Sequence, residues 1–253
     1  MKTAAALAIG DELLSGRTKD ANVHHLAGWL TERGVALREA RIVADEEGDI
    51  VAAVRALSAR YDYVFTSGGI GPTHDDITVD AIGAAFGLAV TEHPEIISLM
   101  QAWYDSRGEE LTPARRRMAR APEGAEMIRN RETGAPGFRV ENVFILAGVP
   151  SIFRSMLEAL EDRVARGAPM TSRAVTVDGL KESEIAEQLG AIQDALHGVS
   201  LGSYPIDYGE TGVRGVTLVA RSEREDLAEQ AVAAVKAAVE ALGLKWTDGD
   251  RRG

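Results

Sequence analysis

Gly68-Gly69-Ile70-Gly71-Pro72-Thr73-His74-Asp75-Asp76 is the stretch on which the reading of this chain turns. An apolar segment, Tyr61-Asp62-Tyr63-Val64-Phe65, and the small polar pair Thr66-Ser67 precede it. Ile77-Thr78-Val79-Asp80-Ala81-Ile82 follows and opens a predicted helix over 77–86. A strand that ends in glycines and opens a helix offers unpaired backbone N–H groups to an anion. Two carboxylates stand at the same spot. Phosphate and carboxylate repel each other, so the pairing makes chemical sense with a cation or a proton between them. The stretch therefore reads as a metal-assisted nucleotide site.

Two familiar loops are excluded. No Gly-Lys-Ser/Thr follows, so this is not the P-loop. The dinucleotide fingerprint would demand a small residue at position 74, where His74 stands. An anion nest remains, made of the N–H groups of Gly68 to Gly71 with the hydroxyls of Ser67 and Thr73. Its plainer alternative is a sharp strand–helix turn that needs glycine backbone freedom. Asp75 and Asp76 also have a plain reading, since aspartate caps helix starts. Two adjacent aspartates, with Thr78 and Asp80 after them, exceed what a cap needs, and such oxygens suit a hard divalent cation. A metal there would bridge carboxylate and phosphate and polarise phosphorus toward water.

Outward from this loop, strand and helix signals alternate. Strands are expected at 4–9, 36–43 and 63–67, and helices at 21–33, with Gly34 as the stop, and 49–61. That alternation predicts a three-layer α/β fold on a mostly parallel sheet, with ligands beyond the carboxyl ends of its strands. Two further acidic segments fall on the same rim. Gly10-Asp11-Glu12-Leu13-Leu14-Ser15-Gly16, with Asp20 and Asn22 after it, follows the first strand, and Asp45 follows the second. Beyond lie predicted helices at 94–106 and 113–120, a short strand at 127–130, a turn at 134–137, a buried strand at 143–146, and a helix over 151–164 capped by Ser151. Residues 166–169 read as a linker into a small α+β unit over 170–245. Its last helix carries Leu227, Ala231, Val235, Ala238 and Leu242 on one stripe, which is core packing. Residues 246–253 are expected to fray.

Other candidates carry less. His24 and His25 are neighbours and share no helix face. Arg115-Arg116-Arg117 reads first as a solvated helix face and second as a phosphate-steering patch. Gly209-Glu210-Thr211-Gly212 has the spacing of an RNA-clamping loop, but its glutamate argues for a turn. No serine sits in a Gly-x-Ser-x-Gly elbow.

Composition bounds the function. The chain has 253 residues, 45% of them hydrophobic, a net charge of −11 and no cysteine. Disulfides and thiolate chemistry are excluded, and a reducing cytoplasm is the expected setting. The charge argues against nucleic acid and acidic membranes as partners. No apolar run reaches the ~20 residues of a membrane span. The N-terminal apolar run stops at Gly10-Asp11-Glu12 without a secretory cleavage pattern, so it reads as a buried strand.

The segments Ala8 to Gly16, Asn22, Asp45 and Ser67 to Thr78 together resemble the molybdopterin-binding-type (Mog-like) domain, and more closely the N-terminal part of competence/damage-inducible protein A. Val143 to Pro150 and Gly202-Ser203-Tyr204-Pro205 are similar to the corresponding domain of eukaryotic FAD synthases. The resemblance implies a molybdopterin-binding-like domain over 1–167, a phosphate-containing small-molecule ligand (nucleotide or pterin), and a homo-oligomer. In the competence-protein branch it implies metal-dependent pyrophosphatase activity on ADP-ribose-like compounds. In the FAD-synthase branch it implies FAD hydrolysis, and in the molybdenum-cofactor branch binding or adenylylation of molybdopterin. The expected catalytic acids are Asp75, Asp76, Asp11 and Glu12. Asp75, Asp76 and Asp45 are the expected ligands of a divalent cation of the Mg, Mn or Co class. Expected ligand contacts are Gly10, Asn22, Ser67, Gly68, Gly69, Gly71, Pro72, Thr73, Thr78, Gly137 and Gly148. Two departures stand out. No nicotinamide-nucleotide deamidase domain follows, so deamidase activity is not expected. Ala147 stands where many relatives have proline.

Overall fold

The computed structural model describes residues 1–168, 170–207 and 214–250. It divides into two compact units, 1–167 and 168–253.

The first unit runs β1 (Lys2–Ile9), α1 (Asp11–Leu14), α2 (Asn22–Glu32), β2 (Val35–Val43), α3 (Glu47–Arg60), β3 (Tyr63–Ser67) and α4 (Thr78–Phe86). Then come β4 (Val90–Glu92), α5 (Pro94–Asp105), α6 (Pro113–Arg116), β5 (Arg120–Pro122), β6 (Glu126–Ile128), β7 (Gly137–Val140), β8 (Val143–Leu146) and α7 (Pro150–Glu158). Six strands form one sheet in the order β2-β1-β3-β8-β7-β6. The first four of these strands are parallel, and β7 and β6 continue the sheet antiparallel.

Side-chain alternation along β1 makes the three layers. Ala5, Leu7 and Ile9 point to one face and pack with Ile50, Val54 and Leu57 of α3 and Ile82 of α4. Ala4 and Ala6 point to the other face, toward Leu26, Trp29 and Leu30 of α2 and Phe153 and Leu157 of α7. Both faces are apolar because both are covered, as a parallel sheet requires. On the α2 face, Phe65 stacks on Phe144 with ring centroids 4.8 Å apart, and Trp29 meets Phe65 edge-on at 6.1 Å. Small alanines on β1 leave room for these rings, and each fully buried large side chain contributes roughly 1.5–3 kcal/mol.

The second unit is α+β. It runs β9 (Thr171–Asp178), α8 (Glu182–Ala195), β10 (Val199–Asp207), β11 (Arg214–Ser222), α9 (Glu225–Ala241) and β12 (Thr247–Asp248). The strands form an antiparallel sheet in the order β10-β11-β9-β12. Val175, Val177, Val216 and Leu218 of its sheet pack with Ile185, Val235 and Val239 of its helices.

Several expectations are corrected. The predicted helix over 113–120 stops at Arg116, tightens into a 3-10 turn at Arg117–Ala119 and then extends as β5, which pairs with β4. Ala121 precedes Pro122, and a residue before proline disfavours helix. Helix α7 starts at Pro150 and not after a Ser151 cap; Val149 is its N-cap, and proline suits the first helical position because its missing N–H has no partner there. The short strand ends at Ile128, because the Asn130 side chain accepts from the Glu132 and Thr133 N–H groups and turns the chain. The buried stripe of α9 is Ala228, Ala231, Val235 and Val239, with Leu242 left 40% exposed. Thr247 and Asp248 pair with β9 where fraying was expected. The 209–212 turn lies outside the described residues. Among the described residues, no helix is long and apolar enough to cross a membrane.

One ion pair clamps the start of the sheet. Asp62 accepts from Lys2 Nζ at 2.6 Å and from the Thr3 N–H and hydroxyl at 2.8 and 2.9 Å. These bonds, that of Lys2 foremost, hold the Asp62 carboxyl at about 2, below its ordinary 3.8. A folded-state value below the unfolded one contributes stability above the unfolded value and loses it as pH falls through the folded one. Asp62→Asn is therefore expected to lower the melting temperature at pH 7, with the difference from wild type shrinking from about pH 4 and vanishing near pH 2. Melting curves across that window check it.

Candidate functional site: the glycine–aspartate rim

The chain leaves β1 for β2 on one side and then returns past β1 to β3 on the other, so the strand order reverses between β1 and β3. Ligands of open α/β sheets bind at such a switch point, beyond the carboxyl ends of the strands. Gly10-Asp11-Glu12 leaves β1 there, Asp45 follows β2, Gly68 follows β3 and Gly148 follows β8.

These ends meet at very short range. A Cβ on Gly68 (φ 109°) would fall 2.2 Å from the Ile9 carbonyl oxygen, and one on Gly69 (φ 67°) would fall 2.1 Å from Thr78 Oγ1. A Cβ on Gly148 would lie 3.2 Å from Gly68 Cα. Asn22, 5% exposed at the start of α2, joins the ends by donating to Ser67 Oγ and to the Gly148 carbonyl, both at 2.7 Å. From below, the buried Thr78 donates its hydroxyl to the Gly68 carbonyl at 2.9 Å and its N–H to the Gly69 carbonyl at 3.0 Å.

The two aspartates of the loop do different work. Asp76 accepts from the Gly71 N–H at 2.7 Å, the Thr73 N–H at 2.8 Å and the Thr73 hydroxyl. It folds the loop 71–76 onto itself, and neither aspartate caps α4, whose N-cap is Ile77. Asp75 is exposed, and its carboxyl is held below the ordinary range by the Thr73 hydroxyl first, then by its own N–H and by His74. His74 is 97% exposed, with Nδ1 4.0 Å from Asp75. Asp45 is pushed up, by burial first and then by the negative charges of Asp11, Glu12 and Asp75; the Asp11 N–H, 3.0 Å away, opposes the shift. Four carboxylates thus share one rim with little compensating charge.

A cavity of about 440 Å³ opens beside them. Glu12, Gly68, Gly69, Gly71, Pro72, Asp76 and Gly148 line it, and Tyr104, Met118, Pro136, Ile152 and Met156 make up its apolar wall. Asn22 and Ser67 line an adjoining pocket of about 70 Å³ that shares Glu12 and Gly148. Asp11, Asp45, Asp75, Gly10 and Thr73 stand around the rim and do not line the large cavity. Thr78 lies buried beneath the loop, and Gly137 lies in β7, where a Cβ would approach the Ile145 carbonyl oxygen to 2.5 Å. The apolar wall was not found from sequence. Its residues come from α5, the turn after α6, the 133–136 loop and α7, and each reads locally as ordinary core.

The nest holds fewer free donors than its sequence suggests. The Gly68 N–H bonds the Leu146 carbonyl at 3.2 Å, and the Gly71 and Thr73 N–H groups bond Asp76. Among the described residues the Gly69 and Ile70 N–H groups have no protein partner. For a metal, the donors are all hard oxygens. Among the described residues, no three His, Cys, Asp or Glu side chains group closely enough to hold a cation alone. A closed protein cage is therefore not present among the described residues; what the rim could offer an ion is one or two carboxylates, with water and ligand phosphate filling the remaining positions.

Removing Asn22 would leave the Gly148 carbonyl and the Ser67 hydroxyl short of a partner. Asn22→Ala is expected to destabilise the first unit by about 1–3 kcal/mol in urea unfolding. Asp76→Asn, which keeps the shape but not the charge, is expected to raise amide exchange at Gly71 and Thr73. Unchanged protection at both positions would show that the carboxylate does not hold the loop.

Comparison with known proteins fits this architecture. Residues 5–166 match the family model described as "Probable molybdopterin binding domain", and residues 169–246 match "FAD synthase, middle domain". A CinA-like protein of Gemmatimonas aurantiaca is 36% identical over 217 residues, covering 81% of this chain and 50% of that protein. The chain therefore spans about half the length of that relative. A protein of Pyrobaculum calidifontis is 34% identical over 98% of both chains. The crystal structure of the protein CinA from Thermoplasma acidophilum superposes with a TM-score of 0.59 at 32% identity, covering 64% of this chain and 97% of that one. Carrying the glycine–aspartate rim on this three-layer sheet, the chain belongs to the molybdopterin-binding-domain family, in its CinA-like branch.

Proposed function

We propose that this protein hydrolyses a nucleotide diphosphate bond with the help of a divalent cation, on an ADP-ribose- or FAD-like substrate. The observation that carries the reading is the 440 Å³ cavity, whose lining combines an apolar wall with the glycine loop, Glu12 and Asp76. A heteroaromatic ring suits the wall of Tyr104, Met118, Ile152 and Met156, and a phosphate suits the Gly69 and Ile70 N–H groups. The match of residues 169–246 to an FAD synthase domain supports a nucleotide ligand.

In this reading Asp75 and Asp45 would hold the cation together with phosphate oxygens and water, and Asp11 or Glu12 would take the proton of the attacking water. The bound cation would supply Lewis-acid polarisation of the phosphoryl group and a more acidic water. The loop folded by Asp76 orients the phosphate, and the apolar wall excludes bulk water from the bond. Water adds to one phosphorus, the bridging P–O bond breaks, and two phosphomonoesters leave. A second reading, binding of a pterin in molybdenum-cofactor chemistry, is favoured by the description of the family itself.

Incubation with ADP-ribose or FAD and Mg²⁺ or Mn²⁺ is expected to release AMP, and EDTA to stop it. Asp75→Asn, at an exposed position, is expected to lower turnover by on the order of a hundredfold or more with only a small drop in melting temperature. No cation-dependent AMP release from either compound would sink the hydrolase. Tight molybdopterin binding without nucleotide turnover would establish the second reading instead.

A further inference from the structure

The run Arg115-Arg116-Arg117 is divided by the fold. Arg115 pairs with Glu109 at 2.6 Å, donates to the Glu110 carbonyl and lies 4.3 Å over the Tyr104 ring. Arg116 grips Glu92 through two bonds of 2.9 and 2.7 Å. Nearby Arg120 holds Asp80 in a two-pronged pair at 2.7 and 2.6 Å. Among the described residues Arg117 has no such partner. It opens the 3-10 turn that follows α6 and lines a cleft of about 20 Å³ with Ile70, Gly71 and Asp76. Those three residues, and Met118 beside Arg117, also line the large cavity. The acids of this cleft are already engaged, Asp80 by Arg120 and Asp76 by the loop donors. Lys19 lines the small adjoining pocket with Glu12 and Asp20, for which no cation partner is seen among the described residues.

The geometry points to Arg117 as the residue that recognises the second phosphate of a nucleoside diphosphate. The inference rests on the nucleotide reading above. Two free amides, those of Gly69 and Ile70, suffice to orient one phosphate but leave a diphosphate short of donors and of positive charge on a rim of carboxylates. A guanidinium supplies both, since its planar fork matches two phosphate oxygens. Arg117 is thus a positioning and specificity residue that distinguishes diphosphates from monophosphates. The same long arginine that reads as a solvated helix face in the sequence stands free because the helix ends before it.

The test is binding of ADP, AMP and adenosine in the presence of Mg²⁺, by calorimetry, to wild type, Arg117→Gln, Arg117→Lys and the control Arg116→Gln. Wild type is expected to bind ADP more tightly than AMP. Arg117→Gln should lose about ten- to a hundredfold in ADP affinity, the range of a charge-assisted contact. AMP and adenosine should change by less than threefold, Arg117→Lys should fall between, and Arg116→Gln should behave as wild type. The Arg117 variants should melt like wild type, because Arg117 is exposed, and Arg116→Gln should lose little, because its pair with Glu92 lies at the surface. Wild-type ADP affinity in Arg117→Gln, an equal loss in Arg116→Gln, or no preference of wild type for ADP over AMP would each overturn the assignment. Turnover of ADP-ribose on the same samples separates the two ideas. Arg117-dependent ADP binding without turnover sinks the hydrolase alone, and turnover with Arg117-independent binding sinks this assignment alone.

Discussion

The site depends on how closely three strand ends approach one another. β1, β3 and β8 run in parallel to a common rim where Gly68 passes under the Ile9 carbonyl and beside Gly148, with no space for a Cβ at Gly68. Chains that meet this tightly expose backbone polar groups that need partners. The Asn22 amide, reaching Ser67 and Gly148 from the first turn of α2, supplies them together with the Thr78 hydroxyl beneath. The cavity, the loop and the acids around it are all referenced to this junction. It is assembled from three layers of the fold, since Asn22 comes from one helical layer, Thr78 from the other and the glycines from the sheet between.

On that junction the charges are divided by local hydrogen bonding. Asp76 faces inward to the loop and takes three donors, so it sets the shape of the glycine loop. Asp75 faces water, and its hydrogen bonds, that of the Thr73 hydroxyl foremost, hold its carboxyl below the ordinary range. Asp45, more buried and surrounded by Asp11, Glu12 and Asp75, holds its proton more firmly than an ordinary aspartate. Like charges gathered at a concave rim repel an incoming phosphate unless a cation or a guanidinium intervenes. Arg117, without a charge partner among the described residues, lines the cleft beside this rim.

The layered sheet was legible in the sequence because its signals are local. Short apolar strands such as 4–9 and 63–67 alternate with helices whose period and glycine stops need no tertiary information. The glycine–aspartate loop was legible for the same reason, as contiguous residues at a strand end. Much of the candidate site was not. Tyr104, Met118, Pro136 and Met156 lie far apart along the chain and face one cavity only after folding. The helix expected over 113–120 broke because Pro122 and the pairing with β4 outweighed its helical propensity. The tail at Thr247 and Asp248 is held by β9, a strand about seventy residues earlier, and no local pattern announces such a pairing.

By itself, then, the sequence determined the three-layer sheet, the glycine rim and the presence of acids at three strand ends. Each of these is written in residues adjacent in the chain or repeated at a fixed period. The tertiary structure decided what each group does. It bound Asp76 into the loop, left Asp75 in water, closed the Gly68 N–H against Leu146, and separated Arg117 from two arginines that pair with glutamates. The physical reason is that hydrogen bonding, desolvation and charge pairing depend on distances between groups remote in sequence. Those distances exist only once the strand ends have met.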